Sequence, residues 1–156
     1  MYKKIICGMI SVVVLLFVLA GCADSYEAYD GHEEYVSVFA EMGLSVPKSQ
    51  ITETVMFVPV VAGEVSMEVM FVRASDGDIR VALNTCENCH ASGRGYYVQD
   101  GDVVVCQQCD MSFDIDYIGL NYGGCQPIPI AHSVESDYVV IAYDALLENA
   151  RWFDVN

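Results

Sequence analysis

Two motifs decide how this chain folds: Cys86-Glu-Asn-Cys89 and Cys106-Gln-Gln-Cys109, with sixteen residues between them. A Cys-x-x-Cys turn directs two sulfurs toward one point, and this spacing between two such turns is typical of a four-thiolate metal site. The residues between the motifs read as a hairpin, which brings the turns together. Four sulfurs can then surround one tetrahedral ion, at about 2.3 Å if the ion is zinc. The sequence therefore predicts a zinc-ribbon-like double cysteine knuckle with these four cysteines as ligands.

Thiol chemistry without a metal is the main alternative. In an oxidising compartment free thiols tend to form disulfides, so the two pairs would form two independent disulfides or one redox-active dithiol. Five cysteines follow residue 22, however, and an odd number fits a pure disulfide framework poorly. A thiol–disulfide redox protein that uses one Cys-x-x-Cys pair is therefore the alternative function.

A second alternative comes from His90, which directly follows the first pair. Cys86-Glu-Asn-Cys89-His90 matches the attachment pattern of a c-type haem, with the two cysteines and the histidine as the haem site. This interpretation leaves the second pair unexplained, and the surrounding sequence is rich in strands rather than helices. Otherwise His90 is a polar residue beside the metal site.

A fifth cysteine lies in the block Gly123-Gly-Cys125-Gln-Pro127-Ile-Pro129. Two glycines allow a backbone to approach its surroundings closely, and the prolines stiffen the next part of the chain. The pattern is compatible with Cys125 as a fifth thiol of the metal site and equally with a buried, inert cysteine in a rigid loop.

The N-terminus resembles a bacterial lipoprotein signal. Lys3 and Lys4 precede an uncharged apolar run, Ile5–Ala20, and the run ends in Leu19-Ala-Gly-Cys22. Such a box is cut before the cysteine, whose sulfur then carries the lipid, and two acyl chains give stable anchoring. The alternative is an uncleaved transmembrane helix, but the run falls short of the roughly 18 apolar residues that a span requires. We expect a protein anchored through Cys22 on the extracytoplasmic face of the cell membrane.

The charge of the chain excludes several functions. It carries 7 basic and 22 acidic residues among 156, a net charge of −15. Such an anion does not bind nucleic acid through charge. No Ser–His–Asp set, phosphate-binding loop or pair of catalytic carboxylates stands out, so an electron carrier or accessory protein is expected rather than an enzyme.

Alternating apolar residues predict strands over most of the remaining chain. Pro59 indicates an edge strand or a bulge, while Asp76-Gly77 and Asp100-Gly101 indicate hairpin turns. In the second predicted strand Ser66, Glu68 and Met70 form the face opposite the apolar one. The predicted strands span residues 54–61, 65–71, 79–83, 96–99, 102–105 and 138–141.

Two short helices are predicted to flank these strands. Helically spaced apolar residues indicate a helix that starts at an Asp30 cap and stops at Gly43. A final short helix is expected to begin at Asp144 and to carry Leu146, Leu147 and Phe153. The fold class is therefore α+β, mainly antiparallel strands and hairpins with short flanking helices.

Four segments together resemble a known family: Ile79–His90, Gly95-Tyr-Tyr, Val105-Cys-Gln-Gln-Cys109 and the Gly-Gly-Cys-x-Pro-x-Pro block. Over about Val65–Phe153 the chain is similar to the FtrD-like membrane iron–sulfur-containing proteins. The resemblance implies Cys86, Cys89, Cys106 and Cys109 as ligands, with Cys125 as a candidate. It also implies an iron–sulfur cofactor and, as in some members, electron handling beside an iron permease complex.

The chain departs from the family in two ways: members often carry several membrane spans whereas this chain shows a lipoprotein signal, and His90 is not part of the family motif. The identity of the metal also stays open. A chain exported unfolded needs its cluster inserted outside the membrane, whereas zinc or a single iron in a four-thiolate cage needs no such machinery. The expected layout is a lipoprotein signal peptide at 1–21, a tether at 22–31 and a single metal-binding domain at 32–156.

The lipid anchor is directly testable. Replacing Cys22 with Ala should abolish incorporation of labelled lipid and move the protein out of the membrane fraction, because the acceptor sulfur is lost. Labelling of the Cys22→Ala chain at the wild-type level would show that the sequence is not a lipobox.

Overall fold

The computed structural model describes residues 37–39 and 43–155. The expected signal peptide and tether lie outside the described residues. Within the described chain, antiparallel strands dominate and one short α-helix comes after them, which agrees with the expected α+β class. The elements are β1 Ser37–Phe39, β2 Gly43–Pro47, β3 Met56–Ala62, β4 Val65–Arg73, β5 Ile79–Cys86, β6 Tyr97–Asp100, β7 Val103–Cys106, β8 Ser112–Asp114, β9 Pro127–Pro129, β10 Ser133–Val134, β11 Tyr138–Ile141 and α1 Tyr143–Asn149.

The strands form three sheets, and every pairing is antiparallel. The central sheet has the order β3-β4-β5-β9, the second sheet β1-β2-β11-β10 and the third β6-β7-β8. The expected hairpins β3–β4, β4–β5 and β6–β7 are all present. The third sheet is inserted between β5 and β9, so the cysteine pairs lie between two strands that are hydrogen-bonded neighbours.

The central sheet buries side chains on both faces. Met67, Val69 and Phe71 of β4 pack into the core shared with the second sheet and α1. Met70 and Val72, on the opposite face, are fully buried in a second core built with the third sheet. The expectation that Met70 lies on a polar face is therefore wrong, because the third sheet covers that face. Burying such a side chain contributes about 1.5–3 kcal/mol.

Prolines occupy both outer strands of the central sheet. Pro59 lies in β3 opposite Glu68, as the sequence predicts for an edge strand. Pro127 and Pro129 lie in β9 on the other edge. Because proline has no N–H to donate, it is tolerated where a strand has a neighbour on one side only. The Pro-x-Pro segment is thus an edge strand that continues the sheet beyond β5.

The predicted N-terminal helix is wrong over the residues that can be compared. Ser37–Phe39 form β1, which pairs with β2, and the rest of the predicted helix before Gly43 lies outside the described residues. Gly43 opens β2 instead of ending a helix; it has a φ of 93°, and a Cβ there would lie 2.1 Å from the carbonyl oxygen of Ile141. Strand pairing here overrides a helical spacing that covers only a few residues.

The C-terminal helix is present with corrected bounds: it ends at Asn149, so Phe153 lies beyond it, after a 3₁₀ turn at Ala150–Trp152. Its N-cap is Ala142, and Asp144 lies in the first turn, where a carboxylate interacts favourably with the helix dipole. Leu146 is buried in the core, whereas Leu147 is half exposed. The β6–β7 turn is also shifted by one residue, since Asp100 pairs with Val103.

Gly119 tightly couples the segment after the third sheet to the central sheet. Its φ is 72°, and a Cβ there would lie 2.1 Å from the carbonyl oxygen of Val81 in β5. Only glycine provides both the left-handed backbone and the space. The preceding Ile118 is buried in the second core, so this contact fixes the start of the loop that leads to Cys125.

Replacing Gly119 with Ala should lower the free energy of unfolding by about 3 kcal/mol or more, since a left-handed Ala costs about 1–2 kcal/mol and the backbone clash adds to it. Gly101→Ala is the matched control, because its φ is 61° and nothing lies within 4 Å of the added Cβ. The control should lose only about 1–2 kcal/mol. Urea unfolding followed by the fluorescence of the single tryptophan, Trp152, measures both; equal losses would contradict the close contact.

Candidate metal centre

The first cysteine pair begins on the last residue of β5. The N–H of Cys86 donates to the carbonyl oxygen of Gly95 at 2.7 Å, and the N–H of Cys89 donates to the carbonyl oxygen of Cys86 at 3.1 Å. The first bond ties the pair to the start of the hairpin, and the second closes the turn. A Cβ on Gly95 would lie 2.6–2.8 Å from atoms of the Cys89–His90 peptide. The turn therefore closes against a glycine that the sequence did not identify as functional.

The second pair begins on the last residue of β7. The N–H of Cys106 donates to the carbonyl oxygen of Met111 at 3.0 Å, and the N–H of Asp110 donates to that of Cys106 at 3.0 Å. Asp110 has a φ of 58°, a left-handed conformation that aspartate tolerates better than most residues. The chain therefore reverses directly after Cys109 and continues into β8.

Backbone N–H groups point at the sulfurs of the second pair. Those of Gln108 and Cys109 donate to the Cys106 sulfur, and that of Met111 donates to the Cys109 sulfur. Such donors stabilise thiolates. The first pair continues differently, because it leads directly into a 3₁₀ turn, His90–Ser92. The described chain thus has two Cys-x-x-Cys turns of unequal shape, and a zinc-ribbon-like double knuckle is not confirmed.

Cys125 lies two residues before β9, on the loop that returns the chain to the central sheet. Gly123 and Gly124 have φ values of 90° and 78°, and nothing lies within 4 Å of a Cβ added to either. The two glycines therefore serve a left-handed turn, and the expected close backbone approach is wrong. Pro127 pairs with Cys86, so the register of β9 carries Cys125 to the first pair.

Two side chains hold the Cys125 loop. The Tyr97 hydroxyl donates to the carbonyl oxygen of Cys125, and the Asn88 amide donates to the Cys125 sulfur at 3.7 Å. Tyr97 is almost fully buried in the second core. The carbonyl that orients Cys125 is therefore fixed from inside the fold.

Asn84 is a further positioning residue that the sequence did not reveal. It is buried at the irregularity in β5 where the pairing with β9 shifts register. Its amide nitrogen donates to Glu68, and its amide oxygen accepts the N–H of Tyr97 at 2.7 Å. A buried polar side chain is stable only when it is hydrogen-bonded; here those bonds join the central sheet to the hairpin between the cysteine pairs. An asparagine in an apolar strand two residues before Cys86 was the available signal.

The five cysteines come together as free thiols. Their sulfurs fall into two groups of three, Cys86–Cys89–Cys106 and Cys89–Cys109–Cys125, and within each group all sulfurs lie within 4.8 Å of one another. Cys89 belongs to both groups. The structure therefore gathers the four cysteines of the pairs and also Cys125; Cys109 lies outside the first group but contacts the Cys106 thiol.

Exposure and charge differ across the five sulfurs. Cys86 and Cys106 are fully buried, whereas the other three are partly exposed. Loss of hydration, together with the adjacent thiols of Cys86 and Cys109, raises the pKa of Cys89. Loss of hydration also raises the pKa of Cys106 despite its N–H donors. The N–H of Met111 lowers the pKa of Cys109.

The pKa of Cys125 reflects opposing contacts. The Asn88 amide lowers it, but loss of hydration and the neighbouring Cys109 thiol outweigh that bond, and the pKa is raised. The shifted pKa values thus favour Cys109 as a thiolate in the metal-free protein and disfavour Cys89, Cys106 and Cys125. Binding a cation between them would remove this repulsion, because metal ligation deprotonates thiols.

His90 lies outside both sulfur groups. Its Nδ1 donates to the carbonyl oxygen of Glu87 at 2.6 Å, and its ring meets Trp152 edge-to-face with centroids 5.1 Å apart. The histidine therefore packs between the first cysteine turn and the C-terminal segment. Since the neighbouring Cys86 is fully buried, the geometry does not favour haem attachment at this motif.

The donor set fits a soft metal. Thiolates select zinc, copper(I), iron and iron–sulfur clusters over the hard cations that prefer oxygen. Three chain segments deliver the five sulfurs to one edge of the second core, with Cys86 and Cys106 inside it. The site and fold define this chain as an antiparallel β protein with a cluster of five cysteine thiols suited to a soft metal.

The family is shown by comparison with known proteins. The model of the family described as "Membrane iron-sulfur containing protein FtrD-like" matches residues 51–153. The chain belongs to this FtrD-like family, as its cysteine blocks indicated. In the part of the chain that the structure describes, no helix is long and apolar enough to cross a membrane.

Comparisons with curated proteins and with solved structures add nothing to this family assignment. No curated protein matches the sequence. Among solved structures, a crystal structure of the quaternary ammonium Rieske monooxygenase CntA with an inhibitor aligns with a TM-score of 0.45 and 16% identity. The alignment covers 69% of this chain, which spans only 33% of the monooxygenase.

The order of thiol reactivity is a testable consequence of the site. In the reduced, metal-free protein, Cys109 should be alkylated at lower pH than Cys89, because its lowered pKa makes the thiolate available earlier while that of Cys89 is raised. Both side chains are partly exposed, so access is comparable. Pulsed iodoacetamide labelling and peptide mass spectrometry across a pH series measure the order; labelling of Cys89 first would contradict this electrostatic picture.

Proposed function

We propose that this protein is a lipid-anchored, extracytoplasmic metal-thiolate protein that serves as an electron-transfer or accessory component of an iron-uptake system. The proposed cofactor is an iron–sulfur cluster or mononuclear iron, with zinc as the alternative. The proposed ligands are Cys86, Cys89, Cys106 and Cys109, together with Cys125. Membership in a membrane iron–sulfur family supports the choice of iron.

One observation carries the proposal: five thiols from three distant segments converge at one place. Cys86 ends β5, Cys106 ends β7 and Cys125 precedes β9, yet their sulfurs lie within the two groups that share Cys89. Exported thiols oxidise unless they are protected, and a packing role would not require them to converge. Shared ligation of a metal accounts for the convergence.

The residues around the site have distinct roles in this proposal. Cys86 and Cys106 would bind the metal from inside the second core. Cys89, Cys109 and Cys125 would bind it from the side that is open to solvent. When bound, iron would supply a one-electron couple at this position. The N–H groups that donate to Cys106 and Cys109 favour the thiolate form, and burial excludes water from the inner ligands.

The anchor and compartment rest on the sequence. The Leu19-Ala-Gly-Cys22 box motivates attachment through Cys22, and the family description as a membrane protein supports membrane association. With a net charge of −15 the chain favours a basic partner surface and disfavours nucleic acid. A permease complex at the same membrane is the proposed partner.

A thiol–disulfide redox protein is the second candidate, favoured by the lowered pKa of the partly exposed Cys109 beside Cys89 and Cys125. Elemental analysis and visible absorption of protein purified from its native envelope separate the candidates. Iron–thiolate absorbs visible light, zinc–thiolate is colourless, and the thiol–disulfide model requires no stoichiometric metal. Metal-free native protein with one Cys-x-x-Cys disulfide would overturn our proposal.

Replacing Cys106 with Ser should remove at least half of the bound metal, since a fully buried thiolate ligand is lost and a hydroxyl is a poor ligand for a soft metal. His90→Ala is the matched control, because the ring lies outside both sulfur groups, and it should retain the metal. The metal content per chain and a haem stain of both variants distinguish the cysteine centre from the haem alternative. Full metal retention in Cys106→Ser would refute the cysteine centre, and covalent haem lost in His90→Ala would establish the haem alternative.

A further inference from the structure

We propose that the thiolate centre holds two metal ions, with the Cys89 sulfur as the ligand that bridges them. This inference rests on the proposed function, because it specifies how the metal-thiolate centre is built. One ion would be held by Cys86, Cys106 and Cys89, and the other by Cys109, Cys125 and Cys89. Each group contains three sulfurs within 4.8 Å of one another.

One tetrahedral ion does not account for all five sulfurs. An ion at about 2.3 Å from four sulfurs holds all of them about 3.8 Å apart, as one mutually adjacent set. The described cysteines form two sets of three that share Cys89, and Cys109 also contacts the Cys106 thiol. A site built for one ion also needs only four of the five thiols. A shared sulfur uses all five and gives each ion three thiolates, with one position left for sulfide or water.

Charge favours the same arrangement. Five thiolates around one divalent ion leave three net negative charges, whereas two divalent ions leave one. Cys86 and Cys106 are fully buried, and uncompensated charge is costly away from water. Binding balances as five thiols and two divalent ions giving the thiolate-bound pair and five protons, which are released to solvent.

The fold gives Cys89 its central position. It ends the turn that starts at buried Cys86, while Gly95 packs against its peptide. The Cys125 loop approaches from the other side, held through Tyr97 and Asn88. The reversal of the chain at Asp110 places Cys109 beside Cys89. Cys89 therefore lies between an inner pair of sulfurs and an outer pair.

Cobalt(II) titration of the full-length, detergent-solubilised protein tests this arrangement. The protein is reduced, stripped of metal and titrated without oxygen, and the thiolate-to-cobalt band in the near ultraviolet counts the bound ions. We expect saturation at two ions per chain. Because a thiolate bridge couples the spins of two cobalt ions, the high-spin electron paramagnetic resonance signal should rise with the first equivalent and fall with the second.

Three variants assign the ions. Cys125→Ser and Cys86→Ser should each bind one ion tightly, whereas Cys89→Ser should abolish the spin coupling; circular dichroism checks that each variant folds. Saturation of the wild type at one ion, or a signal that grows through the second equivalent, would overturn the shared-sulfur site and leave the proposed function intact. A wild-type chain that binds no cobalt would overturn both. The wild-type count and coupling are decisive even if a variant fails to fold.

Discussion

The central sheet must bury both of its faces, and the rest of the structure depends on how the second face is covered. The first face packs against the second sheet and α1, as in an ordinary two-layer domain. The second is covered by the small third sheet, and the core between them includes Cys86 and Cys106. Both of these cysteines end strands that contribute to this core. The site is therefore part of the packing.

This placement couples the cysteine centre to the fold. The third sheet has three short strands, and a sheet of that size needs support from its neighbours. It is held by Tyr97 in the core, by the N–H of Cys86 that donates to Gly95, and by Asn84 across the sheets. A metal bound between β5, β7 and the Cys125 loop would add a further link among the same segments, and the free energy of binding would then contribute to folding.

The sequence predicted six of the eleven described strands because these are rich in apolar and β-branched residues and are bounded by clear turns. The hairpins at Asp76-Gly77 and near Gly101 were correct within one residue, and Pro59 was correctly assigned to an edge. Met70 was misplaced, because alternation cannot show that a distant segment covers the polar face. Ser37–Phe39 were misassigned because their pairing with β2 decides their structure. For the site, local spacing identified the two pairs; Asn84, Gly95 and Tyr97 lie in the segments that resemble the family, but their roles depend on long-range contacts that spacing does not give.

The two Cys-x-x-Cys pairs have the same spacing but different physical environments. The second pair provides N–H donors to both of its sulfurs and lowers the pKa of Cys109. The first pair places Cys89 where loss of hydration and neighbouring thiols raise its pKa. At that position the thiolate form is unfavourable without a cation and favourable between two cations. The loss of hydration and the neighbouring thiols of both pairs that raise the pKa of Cys89 are thus the same crowding that suits a ligand shared between two ions.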